Sequence, residues 1–124
     1  MITINLGYCC ISVLHKELQC GRSSTKTYLE KHTEEYCHNY LYEKAQANLN
    51  DLMELLKLNH EQKIQAFRIP EQILPQLDLE YYTVADLETE LKAVGKVAND
   101  RKIQISTHPS QYFVLNSKPY CIRQ

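Results

Sequence analysis

Apolar and polar positions alternate at the start of the chain, where Ile2, Ile4 and Leu6 are separated by Thr3 and Asn5 and followed by Gly7 and Tyr8. A two-residue period turns one side of an extended segment inward, so residues 2–8 read as a strand that ends at a turn. Residues 12–31 become polar, with Gly21, Ser23, Ser24 and Thr25, and without a period they read as a long loop. At Thr33 the spacing changes. A hydroxyl can cap free amides, Glu34 and Glu35 suit the positive end of a helix dipole, and Leu41, Ala45, Asn48, Leu49, Leu52, Leu55, Leu56 and Asn59 step by three and four. The spacing predicts one long amphipathic helix over 34–60.

Residues 64–69, Ile-Gln-Ala-Phe-Arg-Ile, form a second strand that Pro70 and Pro75 terminate. Thr83 and Asp86 approximate a capping box, and Val84, Leu87, Leu91, Val94 and Ala98 share a face, which predicts a second helix ending near Arg101. Ile103 and Ile105 alternate with Gln104 and Ser106 in a third strand, before Thr107-His108-Pro109. Connections this long cannot be hairpins, so the order strand, helix, strand, helix, strand demands a parallel sheet of the α/β class. Either an open doubly wound sheet or part of a closed barrel satisfies it. A closed α/β barrel takes about 250 residues, so as a barrel this chain is a fragment. No repeat and no internal domain boundary is visible, and residues 1–124 read as a single unit.

Composition narrows the function classes. The chain has 124 residues, 44% of them hydrophobic, with 14 Lys and Arg against 15 Asp and Glu. That profile excludes disordered and collagen-like chains. Near-neutral charge weakens any case for indiscriminate nucleic-acid binding, which draws on clustered cations. No apolar run approaches the roughly 18 residues needed to cross a bilayer. The first residues lack a basic leader followed by an apolar core, so an intracellular protein with no membrane partner is expected. Five cysteines, at 9, 10, 20, 37 and 121, have no zinc-ligand spacing and read as free thiols.

Chemistry in parallel α/β folds gathers at the carboxyl ends of the strands. His108 follows the third strand directly, and imidazole serves as metal ligand or proton carrier near neutral pH. Loop bonding alone would equally account for it. Gln111 and Tyr112 pair an amide with an aromatic ring, a combination able to stack on a base or fill the space it leaves. Tyr8 is expected at the same end of the sheet. Arg68, near the end of the second strand, suits a phosphate contact or an internal ion pair. The remaining histidines, His15, His32, His38 and His60, are expected in solvent. No glycine-rich phosphate loop or nucleophile elbow occurs, and nucleotide cofactors have no support.

Leu6-Gly7-Tyr8, Asn48-Leu49-Asn50-Asp51-Leu52 with Leu55, Leu56 and Asn59, Phe67-Arg68-Ile69, and His108-Pro109-Ser110-Gln111-Tyr112 together resemble, in order and spacing, the amino-terminal part of the ultraviolet-damage endonucleases. The resemblance spans residues 2–118, and the His108 block is its most specific element. It implies a partial TIM barrel, the first three βα units of the xylose-isomerase-like superfamily. It also implies a DNA repair endonuclease that nicks ultraviolet-damaged double-stranded DNA immediately 5′ of a photoproduct with divalent metal ions, manganese being the expected one. Metals suit the reaction because they activate water and offset charge on phosphoryl oxygens. By the same resemblance His108 would be a metal ligand, Gln111 and Tyr112 would hold the damaged dinucleotide out of the stack, and Tyr8 would line the lesion pocket; no residue is assigned to catalysis itself. Gln72 stands where some members carry a histidine ligand. The expectation is that these 124 residues alone do not cleave DNA and need the carboxyl-terminal barrel half or a partner covering the sheet. The alternatives are a related apurinic endonuclease or sugar isomerase, and a non-catalytic α/β binding module.

Overall fold

One helix, α2 (Glu34–Glu61), organises the molecule. Its core stripe runs Cys37, Leu41, Ala45, Asn48, Leu49, Leu52, Leu55, Leu56 and Asn59, all buried, as the leucine spacing predicts. Thr33 caps it by accepting from Tyr36 N–H at 3.2 Å, and Glu34 and Glu35 fill its first turn. The computed structural model describes residues 6–9 and 16–107.

Three short strands pair in the order β1 (Gly7–Cys9), β2 (Ala66–Arg68) and β3 (Gln104–Ser106), every pair parallel. The parallel sheet expected from the connection lengths is therefore present. Tyr8, Phe67 and Ile105 stand in register across it, as do Cys9, Arg68 and Ser106. Side chains alternate along a strand, so these two rows face opposite ways. Phe67 is buried at the centre of the first row, and its ring meets Tyr8 edge-on at 5.1 Å. Tyr8 reaches α2, which makes this the helix-covered side. The second helix, α3 (Glu88–Asp100), packs beside α2 and buries Val94 and Ala98.

Several boundaries differ from the sequence pattern. The first strand runs to Cys9, and its expected residues 2–5 lie outside the described residues. The stretch read as loop contains a one-turn helix, α1 (Lys26–Glu30), capped by Thr25 and anchored by the buried Leu29. A single apolar anchor leaves no periodic signal. The helix from Thr83 opens as a 3-10 turn (Val84–Leu87) before α3, and Asp86 Oδ2 accepts from Thr83 N–H at 2.9 Å. Another 3-10 turn, Leu77–Leu79, is flanked by Gln76 and Glu80 in left-handed conformation.

Both helices enter their following strand through the same joint. Lys63 N–H bonds His60 C=O and Ile64 N–H bonds Asn59 C=O; Lys102 N–H bonds Asn99 C=O and Ile103 N–H bonds Ala98 C=O. Each is a Schellman closure with lysine, φ 60° and 55°, where glycine usually stands.

Gly7 is required by close approach. A Cβ there would lie 2.6 Å from Ala66 Cβ and 2.7 Å from Ala66 O. Because the obstacle includes backbone, Gly7→Ala forces β1 away from β2, and a loss of about 2 kcal/mol is expected from such overpacking. Chemical denaturation of the two proteins measures it.

Candidate functional site

The carboxyl ends of the three parallel strands place Cys9, Arg68 and Ser106 side by side, all exposed, on the side of the sheet opposite Tyr8, Phe67 and Ile105. The ladder continues one step further, where Ile69 N–H bonds Ser106 C=O at 2.8 Å. Among the described residues no carboxylate lies within ion-pair distance of Arg68. Sequence reasoning singled out Arg68 but not its neighbours Cys9 and Ser106. The signal was register, which a chain read linearly does not display.

Tyr8 lies in β1, on the helix-covered side of the sheet. Its hydroxyl donates to Asn59 Oδ1 at 2.6 Å and its ring lies on Phe67, so it is turned towards α2 and not towards the row containing Arg68. The cause is strand alternation: Cys9, one residue on, takes the other side. Asn59 is buried, and among the described residues its Nδ2 has no hydrogen-bond partner. His108, Gln111 and Tyr112 lie outside the described residues, beginning one peptide bond after Thr107.

The walls above the strand ends are fastened to α2 through polar groups. Asn48 is fully buried; its Oδ1 accepts from Arg22 N–H at 2.9 Å and its Nδ2 donates to the carbonyls of Arg22, Gln72 and Ile73 at 3.0, 3.2 and 3.2 Å. Both connections leaving β1 and β2 are thus pinned at one amide. Arg22 Nη2 pairs with Asp51 Oδ2 at 2.7 Å, and the same carboxylate oxygen accepts from Gln19 N–H at 3.0 Å. Gln72 contributes its carbonyl to this clamp. His38, expected in solvent, is half-buried with Nδ1 2.7 Å from Tyr81 C=O, so the ring donates there and ties the segment before α3 to α2. Tyr82 is buried and donates to Pro75 C=O at 2.7 Å, and burial pushes its phenol pKa up. His32 and His60 are exposed, as expected, and His15 lies outside the described residues.

Glu34, Glu35, His38 and Glu80 line a hollow of about 590 Å³ with Leu79 and Tyr81. Among the described residues no three His, Cys, Asp or Glu side chains are arranged to hold a metal ion.

Cysteines are free where described: Cys9 exposed, Cys20 and Cys37 buried. Burial, with a smaller push from the Asp51 carboxylate and an opposing pull from Arg22, raises the Cys20 thiol from 9.0 to about 12. Cys37 Sγ donates to Leu29 C=O at 3.1 Å. At pH 8, alkylation followed by peptide mapping is expected to modify Cys9 rapidly and to spare Cys20 and Cys37 until unfolding, since Cys9 is exposed and the other two are buried. The linkage has a definite sign. The folded protein keeps the Cys20 proton where the unfolded chain releases it, so this contribution is complete below pH 9.0 and is lost as pH rises towards about 12.

A profile of the family described as UV-endonuclease UvdE matches residues 4–124. The chain belongs to the UV-endonuclease UvdE family. Among curated members of this UvdE family, the UV DNA damage endonuclease of Halalkalibacterium halodurans is 30% identical over 121 residues, covering 93% of this chain and 37% of the relative. The UV DNA damage endonuclease of Clostridium perfringens is 33% identical over 73 residues, 56% of this chain and 18% of the relative. The UV-damage endonuclease of Schizosaccharomyces pombe is 26% identical over 113 residues, 86% and 18% respectively. The chain therefore spans less than two fifths of the length of these relatives. The crystal structure of SacUVDE superposes with a TM-score of 0.76 at 25% identity, covering 93% of this chain and 38% of that one. The UvdE fold here is a partial α/β barrel, with three parallel strands and their helices in the amino-terminal position. No helix among the described residues is long and apolar enough to cross a membrane.

Proposed function

We propose that this chain is the amino-terminal, substrate-probing part of a DNA repair endonuclease that nicks ultraviolet-damaged duplex immediately 5′ of a photoproduct. The observation that carries the reading is the family match across residues 4–124 on a sheet whose carboxyl ends gather exposed polar side chains. In this reading Gln111 and Tyr112 enter the duplex beside the lesion, and His108 is a ligand that the chain offers to a divalent metal ion, manganese first among the candidates. Such a metal would activate water and offset phosphoryl charge. Tyr8 acts from the other side of the sheet, fixing β1 against α2 through Asn59. Incision itself is placed in a completed barrel, and the 124-residue chain alone is inactive.

The test has two parts. Grafted in place of the matching segment of the Halalkalibacterium halodurans enzyme, residues 1–124 are expected to give incision of irradiated duplex with manganese and to spare undamaged duplex; a folded chimera that nicks neither overturns the reading. The isolated chain is expected to bind irradiated duplex more tightly than undamaged duplex without cutting it, and equal binding overturns the probing role.

A further inference from the structure

We infer that Arg68 and Ser106 form a phosphate-binding pair at the carboxyl edge of the sheet, with Cys9 at its border; this rests on the reading above, and it names which groups grip the DNA backbone. Four observations converge on these residues. Arg68 and Ser106 are direct register partners on adjacent parallel strands, and Cys9 is the partner of Arg68 on its other side. All three side chains emerge on the side of the sheet that no described helix covers, because Tyr8, Phe67 and Ile105 take the helix side. All three are exposed at the end of the strands where parallel α/β folds bind ligands. Finally, Arg68 has no carboxylate within ion-pair distance among the described residues, although acidic residues outnumber basic ones in this chain.

A guanidinium presents its donors in a planar fork that matches two oxygens of a phosphodiester, and a neighbouring hydroxyl can donate to a third position. Cys9 and Ser106 flank Arg68, and no carboxylate among the described residues offsets its charge, so an anion is the ligand that the row favours. Arg68 is fixed at its base by β2, between two hydrogen-bonded neighbours. It can therefore orient a phosphate relative to the end of β3. It carries no sequence information, as expected of a backbone contact.

The experiment titrates fluorescently labelled irradiated and undamaged duplexes with the 124-residue chain over a range of salt concentrations. Arg68→Gln is expected to weaken both duplexes by a similar factor, roughly tenfold at low salt, and to reduce the slope of log K against log salt by about 1. Ser106→Ala is expected to weaken both by two- to threefold without changing the slope. Lys92→Gln, on the exposed face of α3, is the control and is expected to change neither. In the wild-type chain, saturating duplex is expected to slow alkylation of Cys9 at least threefold, read by peptide mapping. An unchanged slope in a folded Arg68→Gln variant, unchanged Cys9 reactivity, or no duplex binding at low salt each overturns the inference. Equal affinity for the two duplexes with the slope effect intact would defeat the lesion-probing reading and leave the phosphate pair standing.

Discussion

Asn48→Asp is expected to destabilise the protein by about 4 kcal/mol at pH 7, close to the limit a marginally stable domain can lose. The amide Nδ2 donates to three carbonyl oxygens and Oδ1 accepts one amide, all in a fully buried position. A carboxylate keeps the acceptor and turns its other oxygen on three more oxygens in a fully buried position. Protonating the new carboxyl supplies one donor again, so the deficit is expected to shrink as the solution is acidified towards pH 5. Asn48→Leu keeps the branched skeleton but adds bulk, removes every bond and leaves Arg22 N–H and the carbonyls unpaired, at a cost of about 3 kcal/mol. Urea unfolding of the three proteins at two pH values reads both effects, and an aspartate variant as stable as the parent would show that the clamp is dispensable.

Phe67→Ala is expected to cost about 4 kcal/mol, the range found when a buried aromatic ring is deleted from a core. Phe67 is the middle residue of the middle strand, 1% exposed, and it is the ring on which Tyr8 leans. Its loss empties the space between sheet and α2 and removes the support that aims the Tyr8 hydroxyl at Asn59. Phe67→Leu refills most of that space and is expected to cost about 1 kcal/mol. Thermal and denaturant unfolding distinguish the two, and equal losses would mean that the site does not depend on filled volume.

The sequence pattern made the long helix legible through periodic apolar burial, and the parallel order of the strands through the length of their connections. Asn48 and Asn59 entered that pattern only as members of the leucine stripe. Their role as buried hydrogen-bonding centres depends on loops 26 and 24 residues distant in sequence and on Tyr8, 51 residues away. The helix ends, read at 60 and near Arg101, fall within one residue of Glu61 and Asp100, although the usual local stop signal is absent. At Lys63 and Lys102 the left-handed caps use lysine, so the glycine signal for a stop is missing, and tertiary contacts hold a conformation that the residue disfavours. Arg68 could be singled out from its position near a strand end. Its partnership with Ser106 could not be, because register between parallel strands is set by the packing of crossovers and not by any local turn.

Helix α2 has 28 residues and each strand has three, so the helix is about 42 Å long at ~1.5 Å per residue and outreaches roughly 10 Å of sheet about fourfold. Its amino-terminal half leans on α1 and on the segment containing Tyr81 and Tyr82, not on strands. The two halves are thereby held by unlike means. Opening of the overhanging turns breaks tethers at Leu29 and Tyr81, whereas opening of the rest must separate sheet from helix. Amide hydrogens of residues 34–44 should consequently trade with solvent deuterons well ahead of those from 48 to 59, giving a single continuous helix two distinct tempos of breathing.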